Sequence, residues 1–226
     1  MYSHEKIGIL GGSFNPVHHD HLAIAAKTKE IFSLTKVLFI PNASPAYKDS
    51  VTVSYKDRRA MLNMALEDFG DPDFEIADLE EDDSRHHYTC ETLTTLRQQY
   101  GPNIPLFFVM GSDSLLYIDE WKNGLSLHTL ANLVCFTRTG YESKEIKPVI
   151  ASLLQECSVT KDDHLAFKNA SETPAGNIFL LNHPFHLLSS SALRKSIAKD
   201  GLNSSLAGQY MNARALSYAC EYSLYK

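Results

Sequence analysis

Hydrophobic positions along the chain fall into short apolar runs that alternate with segments of helical spacing. Lys6 to Leu10 (KIGIL) reads as a strand ending in Gly11-Gly12, and an Ala-rich helical pattern follows from about His21 to Phe32. Lys36 to Ile40 (KVLFI) predicts the next strand, closed by Pro41-Asn42 and a turn-rich loop to about Ser54. From Tyr55 to Phe69, the positions Met61, Leu62, Ala65, Leu66 and Phe69 share one helical face, and Phe74 to Ala77 is a weaker strand. The acidic run Asp78 to Asp83 predicts a solvated loop. A helix is expected over Thr89 to Tyr100 and a strongly apolar strand over Pro105 to Met110 (PLFFVM). Later strands are expected at Asn132 to Thr137 and Ile178 to Leu181, with a helix near Lys147 to Cys157 between them. Closing helices are expected over Ser190 to Lys199 and Leu206 to Tyr222.

Strands alternating with helices of this length predict a doubly wound α/β fold: a parallel sheet covered on both faces, three layers deep, with right-handed crossovers. In that architecture ligands sit outside the carboxyl ends of the strands, where strand order reverses. The loops after Leu10, Ile40, Met110 and Leu181 are therefore the places to search. The 226 residues show no repeat, low-complexity tract or linker, so one domain over 1-226 is expected.

Composition removes several function classes. No apolar run approaches the roughly 20 residues of a membrane span, and the start MYSHEKIGILGG has too short an apolar core for a signal peptide. The four cysteines, Cys90, Cys135, Cys157 and Cys220, form no CxxC pair, which fits neither a zinc ribbon nor a disulfide scaffold. A cytoplasmic protein without membrane partners is expected. The net charge of -6 argues against a protein that holds long nucleic acid, which needs a basic footprint. A single nucleotide would require a local positive pocket built from helix N-termini, His, Lys and Arg.

The stretch Gly11-Gly12-Ser13-Phe14-Asn15-Pro16-Val17-His18-His19-Asp20-His21 has the makings of such a pocket. Paired glycines allow close backbone approach to a phosphate, and the helix that follows offers unpaired N–H groups. His18 and His21, three apart, can face one side of the first turn and share a phosphate. A zinc site of His18, His19, Asp20 and His21 is the rival reading, but adjacent side chains at a helix start diverge and no further ligand is evident.

This stretch resembles the HxGH nucleotidylyltransferase superfamily, in the GGTFDPxHxGH form of nicotinate-mononucleotide adenylyltransferases, with His18 and His21 at the signature histidines. Ser13 replaces Thr, Asn15 replaces Asp, and Asp20 replaces the signature Gly. A carboxylate about 4 Å from a phosphate would cost on the order of 4 kcal/mol at an effective dielectric near 20, so Asp20 is expected to cap the helix and face solvent. Leu188-Ser189-Ser190-Ser191-Ala192-Leu193-Arg194 resembles the family's ISSTxIR motif, whose hydroxyls cap a helix and bind phosphate while Arg194 brings a planar fork. The helices from about 189 are expected to complete the ATP site.

Further segments resemble the nicotinate-specific branch. Pro41-Asn42 with Pro45 and Lys48 resembles its PxxxPxxK/R loop, His87-Tyr88-Thr89-Cys90-Glu91-Thr92-Leu93 its SYTxxTL helix start, and Gly111-Ser112-Asp113-Ser114-Leu115 with Trp121 its GxDxLxxxxxW segment. Arg138-Thr139-Gly140-Tyr141 resembles its R-x-G-Y strand end. Arg58 matches a family position too, and the Arg58-Arg59 pair is read as a solvated or structural face. The likeness runs in register from about Ile7 to Lys195.

The resemblance implies transfer of AMP from ATP to nicotinate mononucleotide. It assigns His18, His21, Lys48 and Arg194 to catalysis, and Gly11, Gly12, Ser13, Phe14, Gly111, Asp113, Ser189, Ser190 and Ser191 to ATP alongside His18, His21 and Arg194. Asn42, Lys48, Tyr88, Thr89, Trp121 and Arg138 go to the second substrate, with Trp121 suited to stack on a pyridine ring. Mg2+ is expected to arrive with ATP, held by phosphate oxygens and water, and no protein metal ligand is expected. A sister transferase using nicotinamide mononucleotide or another phosphorylated acceptor, and a nucleotide sensor with weakened catalysis, remain as alternatives. Oligomeric state is open.

Overall fold

The structure is a computed structural model that describes residues 5–43, 53–137, 146–182 and 189–226. Its strands are β1 (Ile7–Gly12), β2 (Lys36–Pro41), β3 (Phe74–Ile76), β4 (Leu106–Gly111), β5 (Asn132–Thr137), β6 (Ser158–Val159) and β7 (Ile178–Asn182). They form one parallel sheet in the order β3-β2-β1-β4-β5-β7-β6. The helices flanking it are α1 (His19–Phe32), α2 (Tyr55–Phe69), α3 (Thr89–Tyr100), α4 (Ser112–Leu115), α5 (Pro148–Cys157), α6 (His164–Ala170), α7 (Ser190–Asp200), α8 (Ser205–Tyr210) and α9 (Ala213–Glu221). The Rossmann-like alternation expected from the apolar pattern is present.

Strand order reverses between β1 and β4, which pair in parallel with Leu10 opposite Val109. In sheets of this kind ligands are taken outside the carboxyl ends of the strands at such a reversal. Both strands are buried on both faces, which is why they read as continuous apolar runs rather than alternating ones.

The chain divides into two compact units. One comprises Met1–Gly11, Thr28–Leu38 and Tyr88–Pro184, and the other Gly12–Lys27, Phe39–His87 and Phe185–Lys226. The first unit is centred on Phe32, whose ring lies 4.5 Å from that of Phe107 and 4.8 Å from that of Phe179. In the second, α2 packs on α9, and Tyr218 Oη donates to Asp57 across that seam at 3.0 Å. Ser54 caps α2 by accepting from Asp57 N–H at 3.1 Å, and Gly70 ends it with φ 76°, a left-handed turn that suits glycine.

The expected helix over Leu206 to Tyr222 is two helices, α8 and α9. Met211 and Asn212 are extended between them, and the Asn212 side chain accepts from Ala215 N–H, so a side-chain cap competes with helix continuation. The small elements β6 and α6 lie between expected ones, too short to leave a period in the sequence.

Candidate active site

In the second unit, the residues after β1 form a turn whose carbonyls are held from behind. Ser13 O accepts from the Arg58 guanidinium, Asn15 O from Arg194 Nη1 at 2.7 Å, and Pro16 O from Ser190 Oγ at 3.2 Å. The start of α7, with its Ser-Ser-Ser-Ala-Leu-Arg run, is thereby tied to the glycine turn. Within that run the roles separate. Ser189 caps the helix by accepting from Ala192 N–H, Ser190 tethers the turn, and Ser191 Oγ accepts from Arg194 Nη2 at 3.0 Å. Phe14 takes the left-handed conformation, φ 43°, unusual for a bulky residue. Its fully enclosed ring meets the His21 ring edge-on, 5.1 Å between centroids, and the Phe39 ring at 6.0 Å.

His18 occupies the cap position of α1. Its backbone N–H donates to His21 Nδ1 at 3.2 Å, the half of a capping box in which the third helical residue reaches back to the cap, while His21 N–H donates to the His18 backbone O at 3.0 Å. The two rings are 3.9 Å apart, so the expected pairing of the signature histidines on one side of the first turn is present. A backbone N–H can only donate. His21 Nδ1 must therefore carry its lone pair, which puts the proton of the neutral ring on Nε2.

Asp20 departs from expectation. It is neither the cap nor solvent-facing: α1 begins at His19, and Asp20 is buried inside the first turn, 6 % exposed. A carboxylate there lies in the partial positive charge of the helix N-terminus.

The loop after β2 joins the same unit. Asn42 N–H donates to Gly12 O at 3.0 Å, the Asn42 side chain donates to Glu80, and Ala43 N–H donates to Glu80 O at 2.9 Å. The side-chain oxygens of Asn15 and Asn42 are buried and take no hydrogen bond from the described residues. The acidic run expected to be solvated is so only in part. Glu80 is buried, and Asp78 takes a bidentate Arg59 fork at 2.7 Å per contact plus the Tyr55 hydroxyl at 2.5 Å. Those bonds, Arg59 first, hold the Asp78 carboxyl below its ordinary range against the opposing effect of burial.

In the first unit, Gly111 ends β4 and precedes α4, whose first turn carries Asp113. Trp121 follows a short 3-10 turn over Ile118–Glu120 and is partly buried. Gly124 is required beneath it: a Cβ there would lie 1.7 Å from Ile118 O and 3.0 Å from Trp121 Cβ. Tyr88 and Thr89 begin α3 as expected, with no side-chain cap. Lys122 bridges the two segments, its Nζ 4.5 Å above the Tyr88 ring and 2.7 Å from Glu91 Oε1, so the expected Tyr88–Thr89 and Trp121 elements come together.

Lys48 and Arg138 lie outside the described residues. Sequence reasoning passed over Lys122 and Glu80, and of its solvated-or-structural reading of Arg58 only the structural half holds, since the side chain is wholly enclosed and braces backbone carbonyls. Arg58 did leave a signal: it is three residues before Met61 and seven before Ala65, on the apolar face of α2. Among the described residues, no group of three or more His, Cys, Asp or Glu side chains could hold a metal ion, and no helix is long and apolar enough to cross a membrane.

Residues 9–196 match the cytidylyltransferase-like family model. The chain is 38% identical over 152 residues to a protein of Syntrophotalea carbinolica named "Probable nicotinate-nucleotide adenylyltransferase", covering 67% of this chain and 68% of that one. A protein of the same name from Laribacter hongkongensis is 31% identical over 195 residues, 86% of this chain and 84% of its own. Among solved structures, the Plasmodium falciparum nicotinic acid mononucleotide adenylyltransferase complexed with NaAD superposes with a TM-score of 0.72 over 98% of each chain at 21% identity, a likeness of fold. With this turn, these paired histidines and relatives of this identity and coverage, the chain belongs to the nicotinate-nucleotide adenylyltransferases of the cytidylyltransferase-like family.

Proposed function

We propose that the protein transfers the AMP part of ATP to nicotinate mononucleotide, releasing pyrophosphate and forming deamido-NAD. The observation that carries this reading is the histidine pair at the start of α1, set beside a turn braced by Arg194. A 5′-phosphate oxygen of the ribotide attacks the α-phosphorus of ATP in line, one P–O bond forms, and the bond to the β-phosphate oxygen breaks. No enzyme nucleophile is needed, so positioning and electrostatic stabilisation carry the rate.

His21 Nε2–H donates to the α-phosphate as its charge grows, with His18 beside it. Arg194 and Lys48 neutralise the triphosphate and the departing pyrophosphate. Gly11, Gly12, Ser13, Phe14, Gly111, Asp113, Ser189, Ser190 and Ser191 bind ATP. Asn42, Tyr88, Thr89, Trp121 and Arg138 serve the ribotide, Trp121 as a stacking surface. Mg2+ accompanies ATP as part of that substrate, bound by phosphate oxygens and water. The chain works as one nucleotidyltransferase domain in the cytoplasm, its four cysteines free among the described residues.

The test is pyrophosphate release from ATP with nicotinate mononucleotide, run beside nicotinamide mononucleotide. Release with the acid form is expected. Binding of ATP without release would favour a sensor, and preference for the amide would assign the chain to the sister reaction.

A further inference from the structure

Arg58 projects from α2 with its side chain wholly enclosed, yet its guanidinium pairs with no carboxylate among the described residues. Its donors go instead to three carbonyls: Nε to Val53 O at 3.1 Å, Nη2 to Ala43 O at 3.3 Å, and Nη1 to Ser13 O. Ser13 begins the turn after β1, Ala43 follows Asn42 at the end of β2, and Val53 precedes the cap of α2. One permanently charged group thus fixes the backbone at three points of the second unit.

The consequence for the turn follows from peptide geometry. In a planar trans peptide the C=O and N–H point opposite ways, so drawing Ser13 O toward Arg58 turns the Phe14 N–H away from it. Drawing Pro16 O toward Ser190 does the same for the Val17 N–H. Backbone N–H groups directed away from braced carbonyls are the donors from which anion-binding concavities are built.

A second arginine supplies the contrast. Among the described residues Arg97, in the first unit, also donates only to carbonyls: those of Leu130, Gly101, Ile104 and Pro174. Gly101 and Ile104 precede β4, so this clamp grips the amino-terminal side of that strand, away from the carboxyl ends where ligands are taken. The two clamps share a chemistry and differ in what they hold.

We propose that Arg58 is a positioning residue for the nucleotide phosphates, orienting the Ser13 turn through its carbonyl and adding a buried positive charge behind it. The proposal rests on the reading of this turn as the phosphate site. It is tested with Arg58→Lys and Arg97→Lys by thermal unfolding, by KM and kcat for ATP, and by calorimetry with inorganic tripolyphosphate.

Arg58→Lys is expected to raise KM for ATP and the tripolyphosphate Kd each by about tenfold, the loss of one or two charge-assisted bonds, with kcat falling less. Arg97→Lys is expected to lower the melting temperature and leave both constants within about twofold. A folded Arg58→Lys that binds tripolyphosphate as tightly as wild type, or two variants that shift binding alike, overturns the proposal. A wild-type readout covers variants that do not fold: the Arg58 Nε–H resonance moves on addition of tripolyphosphate while that of Arg97 stays, and an unmoved Arg58 resonance counts against the role. Wild-type protein that neither binds tripolyphosphate nor releases pyrophosphate removes the nucleotide reading itself, whereas wild-type binding with unchanged Arg58→Lys binding removes only the role of Arg58.

Discussion

His21 Nδ1 accepts the backbone N–H of His18 at 3.2 Å, and this single contact fixes Nδ1 as the acceptor of the His21 ring. Because Nδ1 is occupied as an acceptor, Nε2 carries the proton and acts as donor.

Replacing His21 separates the two nitrogens. Gln carries an N–H near the Nε2 position, and Asn carries one nearer Nδ1. His21→Gln is expected to retain at least about tenfold more turnover than His21→Asn, and His21→Ala to lose more than about a hundredfold. Steady-state kinetics on folded variants decide it, and equal activity of the Gln and Asn forms would contradict the tautomer.

Asp20 lies within the first turn of α1, so its removal should act on the helix more than on the ligand. Asp20→Ala is expected to cost about 0.5–1 kcal/mol of stability. Asp20→Gly is expected to change ATP affinity by less than about tenfold. Urea unfolding and calorimetry measure the two effects; an ATP affinity tighter by orders of magnitude would mean the carboxylate opposes the phosphates.

Arg194 braces Asn15 O at 2.7 Å, a contact a lysine can replace in part and an alanine cannot. Arg194→Ala is expected to lower kcat/KM by about a hundredfold and Arg194→Lys by about tenfold. An alanine variant of wild-type efficiency would remove the residue from the site.

The Tyr55–Asp78–Arg59 group gives stability a pH signature. Asp78 is held below the ordinary carboxylate range by Arg59 and then Tyr55, so its contribution is present above about pH 4 and lost as acid protonates the folded form. Tyr55 is pushed above its ordinary range by burial and then by Asp78, so its contribution is present below about pH 10 and lost as alkali ionises it. Melting temperatures across both limits should show the acid loss reduced in Asp78→Asn and the alkaline loss reduced in Tyr55→Phe.

Cys135, wholly buried in β5, has its thiol pushed up to about 12 by burial. Iodoacetamide at neutral pH is expected to reach the partly exposed Cys157 and Cys220 first, and Cys135 only on unfolding. Peptide mapping of the labelled protein reads the order directly.

The sheet was legible because buried parallel strands are nearly all apolar: IGIL, KVLFI, LFFVM and NLVCFT each stand out from their neighbours. The histidine pair was legible because three-residue spacing at a helix start fixes where two side chains point. What stayed hidden depends on pairing across long sequence distances. Nothing near Glu80 in the chain indicates that Asn42 and Ala43 will cover it, and a polar period alone does not separate a solvated acidic run from a partnered one. Asp20 was misread because the cap is decided by His18 and His21 bonding each other, which residue type alone does not announce. Arg58 sat on an apolar stripe, where a charged residue signals an enclosed partner set, and the charge run beside it masked that clue.

Arg194 meets Asn15 across 179 positions, and Ser190 meets Pro16 across 174. A ribosome making this chain releases the glycine turn long before the serines and the arginine that brace it. The nascent protein therefore holds the glycine turn without those braces until position 194 has left the ribosome. A chain stalled before Ser190 is therefore expected to carry that turn without either brace.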